Sequence, residues 1–202
     1  MKAAAKTVAS TKGRAAKRFP QLAPGSMSAE QKRVARAIVA GPRRGLRGPF
    51  NAWLRSPVLA DRLQKVGEYI RFNSSLPRRL NEFAILITAR AWTAQYEWFA
   101  HHPMALAAGL SEKIAADLAE GKRPRGMRED EKTVYDFCTE LLGRRSVSDK
   151  TFRAALKAFG EQGVVDLIGA CGYYGIVSMT LIVAEVPLPP GEKPPLKALR
   201  KP

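Results

Sequence analysis

The sequence predicts an all-α protein, and three observations support this fold class. Apolar residues recur every three or four positions, as at Leu59, Leu63, Val66 and Ile70, which is the spacing of one helical face. Residues that favour helix starts, such as Ser111, precede several of these segments. No segment shows the alternation of apolar and polar residues that is typical of a half-buried strand.

The predicted helices follow one another with short breaks. The first begins at Ser28, which forms a capping box with Gln31, and it ends near Ala40, before Gly41. The remaining helices each carry apolar residues at helical spacing, and they span about 57–72, 77–92, 94–108, 111–120, 128–142, a segment that starts at 148, and 163–185. The helix at 77–92 is apolar on nearly every face, which predicts that it is buried.

The globular domain is predicted to span residues 28–185. A basic, disordered extension precedes it at 1–27, and a Pro/Lys-rich tail follows at 186–202. The formal net charge of +16 lies mostly at the ends, with +11 in residues 1–50 and +3 in the tail. Basic ends bind polyanions in a salt-dependent way, but no nucleic-acid-binding motif accompanies them. The charge therefore predicts no specific nucleic-acid partner.

The sequence predicts a cytoplasmic protein without a membrane span. The first 26 residues are basic and contain no apolar run of signal-peptide length, which argues against secretion and leaves organellar targeting by residues 1–26 open. Residues 167–184 form an uncharged run at the lower length limit for a membrane span. Three glycines lower its hydrophobicity and favour close helix packing, so we interpret it as a helix of a bundle.

The two cysteines, Cys138 and Cys171, match no metal-binding or redox spacing. Cys138 lies on an apolar helix face, and Cys171 lies among small apolar residues. Both are therefore predicted to be buried small hydrophobic residues.

The most informative segment, residues 82–102, carries both histidines of the protein and two carboxylates. Glu97 and His101 are four residues apart, which on a helix places them within hydrogen-bonding reach. A carboxylate that orients an imidazole prepares a proton-transfer group, although the same spacing also forms ordinary structural ion pairs. Glu82 begins an apolar helix, so it is either a proton relay with a raised pKa or a structural hydrogen-bonding partner.

This segment resembles the signature of the carboxymuconolactone decarboxylase family, which includes the alkylhydroperoxidase D-like proteins. The redox members carry a Glu, eleven residues, a Cys-x-x-Cys pair, three residues and a His. Here Glu82 takes the Glu position, Ala94 and Glu97 take the two Cys positions, and His101 takes the His position. The similarity continues through residues 105–111, 134–137, 147–149 and 159–167, so it covers about residues 50–185.

The resemblance implies an alkylhydroperoxidase D-like helical bundle that assembles as a homo-oligomer, either a trimer or a hexamer. It favours an enzyme, namely a cofactor-free lyase of the decarboxylase type or a related proton-transfer enzyme, which acts on a small lactone or oxo-acid. In this interpretation His101 donates a proton to an enolate, Glu97 orients the imidazole and Glu82 relays protons. Tyr96 and Arg90 are the expected substrate-binding residues.

The same residues leave one alternative open and argue against two others. A non-catalytic small-molecule-binding or structural member of this fold would keep the helices and lose the chemistry. Thiol peroxidase activity is not expected, because Ala94 and Glu97 cannot form the reactive cysteine pair. A metal site at Glu97, His101 and His102 is not expected either, since adjacent histidines on one helix point in different directions.

Overall fold

The computed structural model describes residues 18–199, and this part of the protein is all α-helical, as predicted, with no β-strand in that range. A short 3-10 turn at Pro24–Ser26 precedes the first α-helix, and a π-helical turn at Tyr69–Asn73 continues the third. The α-helices are α1 (Ala29–Ala40), α2 (Phe50–Trp53), α3 (Pro57–Glu68), α4 (Arg78–Trp92), α5 (Gln95–Ala107), α6 (Glu112–Ala119), α7 (Glu129–Arg144) and α8 (Asp149–Val183).

The start of α1 confirms the predicted capping box. The Ser28 hydroxyl accepts a hydrogen bond from the Gln31 amide, and the Gln31 side chain accepts one from the Ser28 amide. These two bonds satisfy backbone donors that have no partner within the helix.

Helix α4 is the central helix of the fold, and the prediction that it is buried is confirmed. Every residue from Leu80 to Arg90 is buried, because α5, α7 and α8 all pack against this helix. An apolar helix surrounded in this way contributes most of its side-chain area to the core. The same packing buries the side chain of Glu82, although glutamate is usually exposed to water.

A tight turn joins α4 to α5 and brings the residues of the predicted site together. Thr93 follows α4 in the left-handed region, at φ 52° and ψ 39°, and Ala94 is the extended residue immediately before α5. Because the turn is this short, α5 folds back along α4 and also contacts α8. Glu97, Trp98 and His101 are the buried residues of its first two turns.

Helix α8 consists of two helical parts that meet at Gly160, where φ is 68° and ψ is −179°. This break agrees with the two separate helices predicted for the region, since a left-handed φ costs glycine less than any other residue. Within residues 18–199, α8 is the one helix that is long and apolar enough to cross a membrane, and 56% of its most apolar window is buried inside this fold. A core helix of a bundle has the same properties.

The π-helical turn after α3 is held in place by Asp166 of α8. The Asp166 carboxylate accepts hydrogen bonds from the hydroxyls of Tyr69, Ser74 and Ser75, and from the Ser75 amide at 2.7 Å. The segment between these contacts carries Arg71. One buried carboxylate therefore fixes the backbone from which this arginine extends.

The packed unit extends beyond the predicted domain limits of 28 and 185. Asn51 of α2 bonds the backbone of Phe19 and Leu22, which lie in the predicted extension. In the predicted tail, residues 186–199 form no helix, yet Leu196 is buried and its backbone makes two hydrogen bonds to Gln95. The predictions for residues 1–17 and 200–202 lie outside the described residues.

Candidate functional site

The main cavity of the protein lies beside the first two turns of α5. It has a volume of about 460 Å³ and is bounded by α5, the second part of α8, the loop before α2 and the π-helical turn. Its wall combines aromatic rings, three arginines and the acid–base residues of the predicted site. These residues are Tyr96, Phe99, Tyr173, Tyr174, Arg43, Arg47, Arg71, Glu97 and His101.

His101 is paired with Glu82 and not with Glu97, which corrects the predicted pairing. The His101 Nδ1 atom lies 2.7 Å from Glu82 Oε2. Glu97 instead accepts a hydrogen bond from the Ser178 hydroxyl of α8. Four-residue spacing places two side chains on one helix face, but α5 turns this face toward two other helices, and each side chain finds its partner there.

The surroundings of His101 favour its neutral form. Burial lowers the pKa of the imidazole, and this effect outweighs the opposing influence of Glu82; the charges of Arg71 and Arg43 lower the pKa further. A neutral imidazole next to a carboxylate carries its proton on the nitrogen that faces that carboxylate. Nδ1 therefore donates to Glu82, and Nε2 is left as the basic nitrogen of a side chain that lines the cavity.

Glu97 has the opposite protonation behaviour. Burial raises the pKa of its carboxyl group to about 8, although the hydrogen bond from Ser178 lowers it. The group is thus mostly protonated at neutral pH. Ser178 donates to Oε2, whereas the buried Oε1 has no partner within residues 18–199. The carboxyl proton therefore belongs on Oε1, on a residue that lines the cavity.

The cavity wall is positively charged. Arg43, Arg47 and Arg71 line it, and none of the three forms a salt bridge with a carboxylate in the described part of the chain. The Nε atoms of Arg43 and Arg71 are buried and lack hydrogen-bond acceptors within these same residues. Guanidinium groups without a carboxylate partner are suited to bind an anionic ligand.

Arg43 and Arg71 are each held by weak contacts. Arg43 stacks over the Phe50 ring and donates to the Tyr173 hydroxyl at 3.3 Å. Arg71 stacks over Phe72 and lies 3.3 Å from the Met104 sulfur. A bound anion can replace such contacts without breaking a strong ion pair.

Two tyrosines of α8 complete the inner wall. Tyr174 packs edge-on against His101, with 4.9 Å between ring centroids, and its buried hydroxyl has no partner within residues 18–199. Burial raises the pKa of both Tyr174 and Tyr173, so each hydroxyl keeps its proton and can donate a hydrogen bond. Tyr96, which was predicted to bind substrate, also lines the cavity and is half-buried.

Arg90 does not line the cavity, which corrects its predicted role. Its guanidinium is buried and donates to the Lys197 carbonyl at 2.8 Å, because the C-terminal segment covers this side of α4. Arg79 forms salt bridges with Asp130 and Glu131. Two other buried nitrogens of the Arg90 guanidinium, Nε and Nη1, have no hydrogen-bond partner within residues 18–199.

Sequence reasoning missed the residues that lie far from the 82–102 segment. Arg43, Arg71, Tyr173, Tyr174 and Ser178 come from the loop before α2, the π-helical turn and α8. None belongs to a motif. The one local signal for these residues in the sequence was the adjacent pair Tyr173 and Tyr174, which lies within a stretch of mostly small and apolar residues.

Glu82 also borders a second cavity, of about 310 Å³. Arg71 lines both cavities, and Asn81 lines the second. The Asn81 Oδ1 atom is buried without a protein partner in the described residues, and a bound water molecule can satisfy such an acceptor. Residues 18–199 contain no group of three or more His, Cys, Asp or Glu side chains that could hold a metal ion.

Comparisons of the chain with models of protein families, with curated proteins and with solved structures found no match.

Proposed function

We propose that the protein is a cofactor-free proton-transfer enzyme, of the carboxymuconolactone decarboxylase-like type, that acts on a small anionic oxo-acid or lactone. The observation that carries this proposal is that one arginine-lined cavity contains both a carboxyl group with a raised pKa, Glu97, and an imidazole with a lowered pKa, His101. Groups whose environments move their pKa values in opposite directions are typical of acid–base catalysis.

The arginines supply the substrate-binding part of the proposal. A substrate carboxylate next to Arg43 and Arg71 would accept the charge-assisted hydrogen bonds that these side chains lack in the free protein. Tyr96 and Phe99 would contact the apolar part of the molecule. The cavity volume of about 460 Å³ lies in the range of small-ligand pockets.

The chemical step then follows from the protonation states. When a carboxylate leaves a β-oxo-acid as CO₂, the electrons of the broken C–C bond move into the neighbouring carbonyl and form an enolate. The Tyr174 hydroxyl can donate a hydrogen bond to the enolate oxygen, as oxyanion-stabilising donors do. Glu97 can give its Oε1 proton to the carbon. This assignment makes Glu97 the proton donor in place of His101.

The proton that the product takes up must be replaced from solvent. A deprotonated Glu97 is costly in its buried position, so in this scheme solvent first protonates His101 Nε2, and the resulting imidazolium gives this proton to Glu97. Glu82, which is bonded to Nδ1, stabilises the imidazolium. In the lactone variant, His101 Nε2 first removes a proton next to the carbonyl and Glu97 delivers one elsewhere.

The finer fold and assembly belong to the same proposal. Glu82 and His101 take the Glu and His positions of the family signature, and their side chains are in direct contact. This contact supports the proposal of an alkylhydroperoxidase D-like arrangement. We also propose a homo-oligomer, either a trimer or a hexamer, and a cytoplasmic location without a specific nucleic-acid or membrane partner.

A second candidate is a non-catalytic protein that binds a small anion. The three arginines without carboxylate partners favour it, since they explain affinity without any proton transfer. The enzyme and the non-catalytic binding protein differ in one respect: only the enzyme would exchange carbon-bound hydrogen of a bound oxo-acid or release CO₂ from it.

The test is carbon-bound hydrogen exchange in D₂O, followed by NMR, across a panel of lactones and oxo-acids, with CO₂ release measured in parallel. We expect the wild-type protein to catalyse deuterium incorporation or decarboxylation of at least one compound. Glu97→Gln and His101→Ala should each lower the rate on the order of 10²–10⁴-fold, the usual contribution of a general acid or base.

His102→Ala is the matched control, because His102 is the adjacent histidine and stacks on Trp98, away from the main cavity. It should keep near wild-type turnover. Wild-type turnover by a folded His101→Ala protein would overturn the mechanism. Tight binding of a panel anion with neither exchange nor CO₂ release would support the non-catalytic alternative instead.

A further inference from the structure

The two cysteines of the protein meet in the core, at the contact between α7 and α8. The sulfur atoms of Cys138 and Cys171 lie 3.5 Å apart, and both side chains are buried, as the sequence predicted. They are 33 residues apart in sequence, so only helix packing brings them together. The proposed function uses neither of them.

We propose that Cys138 and Cys171 form a reversible disulfide when the protein meets a hydroperoxide, which makes them a redox modification site that joins α7 to α8. This inference does not depend on the proposed function. A disulfide has an S–S distance of about 2.05 Å. The sulfurs must therefore approach by about 1.5 Å from their present separation, which small side-chain rotations can supply.

Cys171 is the sulfur suited to react first. It keeps 3% exposure, whereas Cys138 is fully buried. The hydrogen-bonding contact with Cys138 lowers the pKa of Cys171 and Thr88 adds to this effect, although burial acts in the opposite direction. The pKa of Cys138 is raised by its contact with Cys171 and by burial. The thiolate, which is the nucleophile in such oxidations, therefore forms more readily on Cys171.

The oxidation then proceeds in two balanced steps. The Cys171 sulfur attacks one peroxide oxygen, the O–O bond breaks, and a sulfenic acid and one water molecule form. The Cys138 sulfur next attacks the sulfenic sulfur, the S–O bond breaks, and the Cys138 proton leaves with the hydroxyl as a second water. Two thiols have lost two electrons in total, and hydrogen peroxide has gained them.

A disulfide here would stabilise the fold near the main cavity. It would close a loop of 33 residues, which removes conformational freedom from the unfolded chain. For a domain of this size we expect the oxidised protein to melt on the order of 10 °C higher than the reduced protein. Tyr173 and Tyr174 follow Cys171 on α8, so the joined helices carry one wall of the cavity.

The experiment treats the reduced full-length protein with hydrogen peroxide under native conditions, then determines its mass and its disulfide-linked peptides. We expect the monomer to lose about 2 Da, the mass of two hydrogens, by joining Cys138 to Cys171. A thiol reductant should restore the mass and the lower melting temperature. Cys138→Ala should give no intramolecular link, and Cys171 should then stop at a sulfenic acid that dimedone traps.

Two outcomes would overturn the proposal. The first is that both thiols stay reduced in the native protein while the same peroxide oxidises the guanidinium-unfolded chain. The second is that peroxide converts Cys171 of the native protein to a sulfinic or sulfonic acid, located by peptide mapping, while no peptide links Cys138 to Cys171. Both results come from the wild-type protein, so neither requires that a variant fold.

Discussion

The two acid–base residues of the main cavity, Glu97 and His101, owe their protonation states to burial. Glu97 is 1% exposed and His101 is 7% exposed. Removal from water disfavours the charged form of each, which raises the pKa of a carboxyl group and lowers that of an imidazole. The cavity therefore holds a proton on the carboxyl group and a free base on the imidazole at neutral pH.

Glu97 should make the stability of the protein fall as the pH rises. Its folded pKa of about 8 lies above the unfolded value, so the folded state binds more protons between the two values and loses stability with increasing pH. His101, whose pKa is lowered, acts in the opposite direction, but only below its unfolded value of about 6.5. Between pH 6.5 and 8 we expect Glu97 to lower the free energy of unfolding by roughly 1.5 kcal/mol.

Denaturant unfolding at several pH values checks this prediction. The Glu97→Gln variant keeps the shape and cannot titrate, so the difference between the wild type and the variant isolates Glu97 from other groups. An identical pH slope in both proteins above pH 6.5 would show that Glu97 is not protonated in the native state.

At the scale of single elements, close approach between α3 and α8 places Arg43 and Tyr173 in the cavity. Gly67 of α3 makes this approach possible, since a Cβ atom there would overlap the Tyr173 hydroxyl and the Arg43 guanidinium. The Asp166 hydrogen bonds hold the neighbouring π-helical turn. Helix α3 and the π-helical turn carry neither Glu97 nor His101, but their packing determines where Arg43 and Arg71 lie.

Gly67→Ala should displace Tyr173 and Arg43 and weaken anion binding. Overpacking of a buried contact costs about 1–3 kcal/mol, and we expect affinity for a panel oxo-acid to fall together with stability. Gly143→Ala is the matched control, because Gly143 lies in α7 and a Cβ atom there meets no neighbour within 4 Å. Thermal melts and calorimetric titration give the two readouts. Unchanged affinity in a folded Gly67→Ala protein would contradict the role of this contact.

Asp166→Asn should destabilise the protein at neutral pH and much less in acid. Burial raises the pKa of Asp166, but the hydrogen bonds from Ser75, Tyr69 and Ser74 outweigh it and leave the pKa below its ordinary value. A lowered carboxyl pKa contributes stability that is present above the unfolded pKa and is lost as the pH falls through the folded pKa.

We expect Asp166→Asn to cost about 2 kcal/mol at pH 7, measured by denaturant unfolding, with the difference from wild type shrinking below pH 4 as the native carboxyl group takes up a proton. Asp149→Asn is the control, since that side chain is 91% exposed and should change stability by less than about 0.5 kcal/mol. A pH-independent loss at Asp166 would point to altered packing instead of lost charge.

At the scale of the whole molecule, the outer face of α8 bears on the proposed assembly. Val165, Ile168, Ile182 and Val183 are between 45% and 64% exposed, on a helix that is uncharged from residue 167 to its end. Contiguous exposed apolar surface of this kind marks interaction sites, and a second copy of the protein would cover it symmetrically.

Light scattering at micromolar concentration should therefore report three or six times the chain mass of 22.2 kDa. Ile168→Glu should lower this mass, because it places a charge within the apolar face. Ala158→Glu, an exposed position in the first part of the same helix, should leave the mass unchanged. A 22 kDa species for the wild-type protein would rule out the proposed assembly.

The sequence by itself determined the helical elements other than the short α2 and the π-helical turn, together with the burial of α4. Helical periodicity and capping residues are local signals, so they can be recognised without knowing which segments pack against each other. The all-α class is accordingly confirmed, and the start of α1 is correct to the residue.

Only the tertiary structure decided which residues act together. The sequence predicted Glu97 as the partner of His101. In the structure, packing of α5 against α4 pairs His101 with Glu82, and Ser178 of α8 bonds Glu97 instead. Arg43 and Arg71 line the cavity although they lie outside the 82–102 segment, and no sequence pattern connects them to it. Arg90 lies within that segment, but its guanidinium bonds the C-terminal segment and does not line the cavity. The physical reason is that side-chain partners and desolvation arise from contacts between distant segments, and a linear pattern contains neither.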